Sequence, residues 1–170
     1  MTVRDLFTAA SKLLLRAGWA PILVLIIHKV VAGTPWRQAL DFWMHFSGGL
    51  AIAYFLYRAI QAFPRILRTA SRFGDYLFAF ALAAVVGLFW EFAELASDHF
   101  LHTHIQISIW ETMRDLIADC TGATVALTLI VIAGRIAGAR PSTPAAPSTP
   151  SSTPETLARN PGAGSPSIHR

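Results

Sequence analysis

The chain has 170 residues, 54% of them hydrophobic and only 14% charged, with a mean hydropathy of +0.47. Soluble domains carry about a quarter charged residues, so this composition excludes an ordinary water-soluble fold and makes the lipid bilayer the expected solvent. The net charge of +4 comes from arginines set between apolar runs, without the basic–aromatic interleaving of an RNA binder; no nucleic-acid partner is expected.

A spanning helix needs about 20 mostly apolar residues, and four segments approach this. The first runs over Leu13–Val31, with Arg16 near one end and His28 and Lys29 near the other, where long side chains can reach the headgroups. A cleaved signal peptide ending near Val30 and Ala32 is the alternative. His28 and Lys29 interrupt the apolar region just before that site and argue against it. Upstream, Leu6, Ala10, Leu13 and Ala17 share one helical face, with Arg4 and Lys12 elsewhere, the pattern of an interfacial helix leading into the span. The second segment is Phe42–Phe63, the third Tyr76–Ala96, the fourth Leu116–Gly138.

Residues 141–170 repeat Ser-Thr-Pro, ending at Pro144, Pro150 and Pro154, and hold almost no large apolar residue. Such a segment cannot bury a core and is expected to be a disordered cytoplasmic tail. The expected domains are therefore a four-helix transmembrane domain over 1–140 and the tail over 141–170. Cys120, the one cysteine, lies in an apolar run and reads as a small hydrophobe.

Orientation follows from Lys and Arg in the short loops. Arg4, Lys12 and Arg16 precede the first span; Arg58, Arg65, Arg68 and Arg72 flank the link from second to third; Arg135 and Arg140 follow the fourth. The other two loops hold only Lys29, Arg37 and Arg114. Both termini are thus expected in the cytoplasm of a bacterial inner-membrane protein. Trp19 at the inner side and Trp36, Trp43 and Trp110 at the outer side are placed as interface anchors.

With this topology, Asp41, Glu91, Glu94, Asp98, Glu111, Asp115 and Asp119 gather at the outer helix ends, along with His28, His45, His99, His102 and His104. At about 100° per residue, Glu91, Glu94 and Asp98 share a face that continues inward to Gly87, Ala83 and Ala79. Glu111, Asp115 and Asp119 share another, leading to Gly122 and Ala126; His45 leads to Gly49 and Ala53. Small residues at four-residue spacing let membrane helices approach closely, so the three stripes are expected to face one another and converge on an outward pocket.

Ionisable groups in a membrane are costly unless paired, and several carboxylates together repel unless a cation or proton sits among them. Carboxylates with imidazole suit Zn²⁺, Mn²⁺ or Fe²⁺. Candidate metal ligands are His45, Glu91, Glu94, Asp115 and Asp119, with His45, Glu91 and Asp115 as candidate catalytic groups. A structural network of protonated carboxylates is the bland alternative. Arg114 is a candidate contact for an anionic group and Trp110 for the substrate; pairing of Arg37 and Arg114 with Asp41 or Glu111 is the structural alternative. The His99, His102 and His104 loop has metal-binding spacing, but short His tracts are often only solvated. No Gly-rich phosphate loop, nucleophile elbow or paired-Cys motif occurs, so neither a nucleotide nor an organic cofactor is expected. Gly48-Gly49 reads as a helix-packing pair.

The element Asp41-Phe-Trp-Met-His45-Phe46-Ser-Gly48, with Trp90-Glu91-x-x-Glu94 and Trp110-Glu111-Thr112-x-x-Asp115-Leu116 followed by Gly122-Ala123, resembles the YjdF-like family of small bacterial inner-membrane proteins. The ending Asp115-x-x-x-Asp119-x-x-Gly122-Ala123 is also similar to the last helix of the VanZ-like family, which is linked to glycopeptide resistance at the cell surface. The matching stretch is about 41–126; the insertion over 98–104 belongs to neither pattern. The resemblances imply a membrane bundle and no settled chemistry.

The expected function is an outward-facing divalent-metal site that acts on or recognises an envelope lipid or lipid-linked substrate. Metal or proton transport is the alternative, against which the inner halves of spans three and four lack ionisable residues. A non-catalytic membrane subunit or scaffold is a third reading. With few spans, a homo-oligomer is plausible.

Overall fold

The computed structural model describes residues 2–103, 105 and 108–138; the expected tail over 141–170 and His104 lie outside them. Those residues are helical throughout apart from short links, with no strand among them. Helix α1 (Val3–Leu13) starts at a reciprocal cap: Thr2 Oγ1 accepts from the Asp5 amide and the Asp5 carboxylate accepts from the Thr2 amide, satisfying two end donors at once. One wider π-helical stretch, Leu14–Gly18, carries the chain without a break into α2 (Trp19–Ala32). It lies directly before Pro21, which has no N–H for the carbonyl of Ala17 and would crowd it in a regular turn. The expected interfacial helix and first span are thus one rod, Val3–Ala32.

After a turn closed by Thr34, whose hydroxyl donates to the Val31 carbonyl, α3 runs over Arg37–Ala62. Pro64 opens the single-turn α4 (Pro64–Leu67), and Ser71 caps α5 (Arg72–Leu101) by accepting from the Gly74 amide. Asp75 is the lock on this link. It is buried and accepts from the Thr69 amide at 2.8 Å and the Thr69 hydroxyl at 3.0 Å, with Arg68 Nε at 3.7 Å. Tyr57 and Tyr76 stack beside it with ring centres 5.0 Å apart. Helix α5 ends on His102 in the left-handed conformation, and Asp98 turns back to accept from Thr103 and from the Ile105 amide. Helix α6 covers Ile109–Gly138.

Three helical stretches are long and apolar enough to cross a membrane: Val3–Ala32, Arg72–Leu101 and Ile109–Ala137. Helix α3 has 26 residues, about 39 Å at 1.5 Å each, but is less apolar because it carries Arg37, Asp41, His45 and Arg58. It is also the hub, packing against α2, α5 and α6.

The core is built from small residues. Ala53, Ala79, Ala83, Ala123 and Ala126 are buried, while Leu15, Ile26, Phe89, Phe92, Leu129 and Ile136 stand exposed on the outside. Large apolar residues outside and alanines inside are what a bilayer permits: lipid solvates the large side chains, and association relies on close backbone approach. That approach is tightest where α3 crosses α6. A Cβ on Gly49 would collide with the Asp119 carbonyl, and one on Gly122 with the Phe46 carbonyl. The small-residue stripes of α3, α5 and α6 do face one another.

Candidate metal centre

The crossing of α3 and α6 brings three ionisable side chains into the protein interior, one from each of three helices. His45 (α3), Glu91 (α5) and Asp119 (α6) are 5%, 2% and 7% exposed. His45 Nδ1 stands 3.4 Å from Asp119 Oδ2 and 3.6 Å from Glu91 Oε1. One donor atom from each residue lies within 4.8 Å of the other two, a grouping that could hold a metal ion.

Glycines make the room. A Cβ on Gly87 would stand 2.7 Å from Asp119 Oδ2, and one on Gly48 would stand 3.6 Å from Oδ1. Gly48, Gly49 and Gly87 together form the seat of the Asp119 carboxylate and main chain. Gly49 does pack helices, as the sequence suggests, whereas Gly48 and Gly87 stand against the carboxylate itself.

A second group shares His45: Asp41, His45 and Asp115 also offer donor atoms within 4.8 Å of one another. Here a cation is already present. Arg114 donates to Asp41 Oδ2 at 2.8 Å and to Asp115 Oδ1 at 3.1 Å and 3.2 Å. The guanidinium therefore bridges α3 and α6 and offsets the charge of both carboxylates.

Among the candidates from sequence, His45, Glu91 and Asp119 come together, and Asp115 joins His45 on the Arg114 side. Glu94 stands apart from both groups and accepts from Trp90 Nε1 at 2.9 Å. Trp110 is 76% exposed at the start of α6. Arg114 pairs with Asp41, the alternative weighed for it, while Arg37 donates to the Ile105 carbonyl at 2.9 Å. His99 and His102 are exposed and in neither group.

Two participants were placed at the outer helix ends by the sequence but were not among its candidate ligands or catalytic groups. Asp41 precedes His45 by four positions, one helical turn on the same face, and this spacing was the available signal. His28 of α2 has its ring centre 6.4 Å from that of His45 and 5.3 Å from that of Trp90; no local pattern links α2 to this site.

A family model described as "Predicted membrane protein (DUF2238)" matches residues 14–135. The chain belongs to this family. The match runs from the π-helical turn into the last turns of α6 and takes in every residue of both groups, and the YjdF-like resemblance is consistent with it. A Thermotoga maritima protein described as "Uncharacterized protein" is 38% identical over 94 residues, covering 50% of this chain and 45% of its own length. The chain thus spans about half the length of that relative. No solved structure matches.

Proposed function

We propose that the protein is a four-span bundle of the bacterial inner membrane, with both termini cytoplasmic. In this reading His45, Glu91 and Asp119 bind a divalent metal that serves the recognition or turnover of an envelope lipid or lipid-linked substrate. The spacing around His45 Nδ1 carries the reading. Distances of 3.4 and 3.6 Å are long for charge-assisted hydrogen bonds, which fall near 2.7–2.9 Å. Donors held about 2.0–2.2 Å from a tetrahedral Zn²⁺ stand about 3.4 Å from one another. Two carboxylates match a divalent charge, and one imidazole with two oxygens suits Zn²⁺, Mn²⁺ or Fe²⁺. The two buried carboxylates also call for a compensating positive charge in a medium without water, which a divalent cation supplies.

An ion there would polarise a phosphoryl or carbonyl oxygen, or supply a bound hydroxide. Asp115 and Arg114 sit about one turn outward along α6, where Arg114 is taken up by Asp41 and Asp115, and Trp110 stands exposed for contact at the bilayer surface. Toward the other side the core is Ala53, Ala79, Ala83, Ala123, Ala126 and Ile60. That apolar plug favours a one-sided site over a conduction path. The arginines of the α3–α5 link lie at the far end of the helices from the site, which fits cytoplasmic placement. Homo-oligomerisation remains part of the proposal.

The test is metal content of detergent-purified protein by mass spectrometry. Near-stoichiometric metal is expected in the wild type, with loss in His45→Ala and in Asp119→Asn. A folded wild type that takes up no Zn²⁺, Mn²⁺ or Fe²⁺ would overturn the reading.

A further inference from the structure

Two adjoining cavities run beside the metal centre, and they differ in chemistry. The inner one, about 220 Å³, has walls from Pro21, Val24 and Leu25 on α2, Met44 and Ile52 on α3, and Val86 on α5. Its polar lining comes from His28, His45 and Asp119, with the Trp90 indole. His45 Nε2 is buried there without a hydrogen-bond partner among the described residues. No Cα of α2 comes within 8 Å of one of α5; side chains span the gap where His28 and Lys29 of α2 lie on Trp90 of α5, and the chamber lies behind this seam between the two helices.

The outer cavity, about 380 Å³, shares His28, Met44 and Trp90 with the first. Its further lining mixes polar Lys29, Arg37, Asp41, Glu94 and Ser97 with apolar Val31, Ala32, Ala93 and Ile105. The carboxylates there are engaged, Asp41 by Arg114 at 2.8 Å and Glu94 by Trp90 Nε1 at 2.9 Å. The cations are not so matched. Lys29 Nζ sits 5.9 Å from the Trp90 ring centre, Arg37 gives one bond to a main-chain carbonyl, and neither forms an ion pair among the described residues.

We propose that the two cavities form one site for a single-chain phosphate monoester lipid. This deepens the functional reading above and rests on it for the lipid class, but not for the metal. The apolar chain enters through the α2–α5 seam and fills the inner chamber, replacing lipid contacts with Val24, Leu25, Ile52 and Val86. The neck passes between His28 and Trp90. The phosphate meets Lys29 and Arg37, where a guanidinium can take two phosphate oxygens at once. The headgroup then lies against the same His28–Trp90 wall that borders the candidate metal centre.

The experiment uses delipidated full-length protein in detergent with EDTA present, so that lipid binding is read independently of metal. Native mass spectrometry follows titration with oleoyl lysophosphatidic acid; oleyl alcohol supplies the chain without phosphate, and inorganic phosphate the head without chain. The wild type should bind one lysophosphatidic acid at least tenfold more tightly than oleyl alcohol, with no measurable binding of inorganic phosphate. Val24→Trp, which fills the chamber from the peripheral helix, should weaken lysophosphatidic acid at least tenfold. Val86→Phe should do the same from α5, and covers the case in which Val24→Trp fails to fold. The double variant Lys29→Gln/Arg37→Gln should lose the preference over oleyl alcohol and keep the weak alcohol binding. Glu91→Gln, at a metal-group residue that lines neither cavity, should lose metal in EDTA-free buffer while still binding the lipid. Equal binding of the alcohol and the phosphate lipid by wild type, or lysophosphatidic acid binding untouched by filling the chamber and by removing the cations, would overturn the proposal. Failure of metal loading with intact lipid binding would overturn only the metal reading.

Discussion

Substituting Gly87 by alanine separates the metal centre from the fold that carries it. The new Cβ would stand 2.7 Å from Asp119 Oδ2 and 3.3 Å from Cγ, where ordinary contact begins at 3.4 Å. The carboxylate therefore has to retreat by about 0.7 Å, well beyond the ±0.2 Å within which ligand distances are held. The obstacle is the end of a side chain, so the helices need not move. An extra methyl in a packed site costs about 1–3 kcal/mol, and removing a glycine from a helix interior returns roughly 0.5–1 kcal/mol. The net change in stability should thus be about 0–2.5 kcal/mol. Displacing a ligand or its support typically lowers metal affinity about 10–100-fold, and that range is expected here. Gly122→Ala is the control. There the obstacle is the Phe46 main-chain carbonyl, which cannot rotate aside, so α3 and α6 must part and stability should fall along with metal. The assay is Zn²⁺ competition titration beside thermal unfolding in the same detergent. Gly87→Ala with wild-type metal affinity, or with affinity lost only in proportion to a collapse in Tm, would refute the reasoning.

Arg114→Ala should lower stability by about 1–3 kcal/mol, because it leaves Asp41 and Asp115 facing each other without their shared donor; adding Asp41→Asn should restore part of the loss in Tm, and no restoration would count against the bridging role. Asp75→Asn should cost about 1–3 kcal/mol by weakening the contacts to Thr69 and Arg68. Bound metal per folded molecule should stay unchanged, since this lock lies on the link between α3 and α5; metal loss at constant fold would contradict that separation. In a Cys120→Ser background, Ala70→Cys should react with a membrane-impermeant maleimide only after the cells are opened, and Ser108→Cys in intact spheroplasts. The reverse pattern would invert the topology.

The parts of this molecule that were legible in its sequence are those governed by short-range periodicity. Apolar length marks the stretch through α2, and α5 and α6, as long and apolar enough to span, and the steps of three or four residues from His45 to Gly49, from Glu91 to Gly87 and from Asp119 to Gly122 place an ionisable group and a small residue on one helical face. Close packing of three such faces then has few solutions, so the meeting of His45, Glu91 and Asp119 follows from the stripes. Relations between helices that do not share a stripe were not available in this way. Glu94 lies one turn above Glu91 and on nearly the same face, but it is held by Trp90 of its own helix, a choice made by side-chain reach rather than by spacing. Arg114 carries one charge against two carboxylates, and only the crossing of α3 over α6 decides that Asp41 of α3 joins Asp115 of its own helix as its partner. His28 comes from α2, whose all-round apolar character hides which side faces α3. Its place beside His45 and Trp90 depends on α2 packing on α3 and meeting α5 through side chains alone. The same arrangement puts the inner chamber behind that seam and sets Lys29, which the sequence places merely at a membrane surface, over the ring of Trp90 at the mouth of the proposed lipid site.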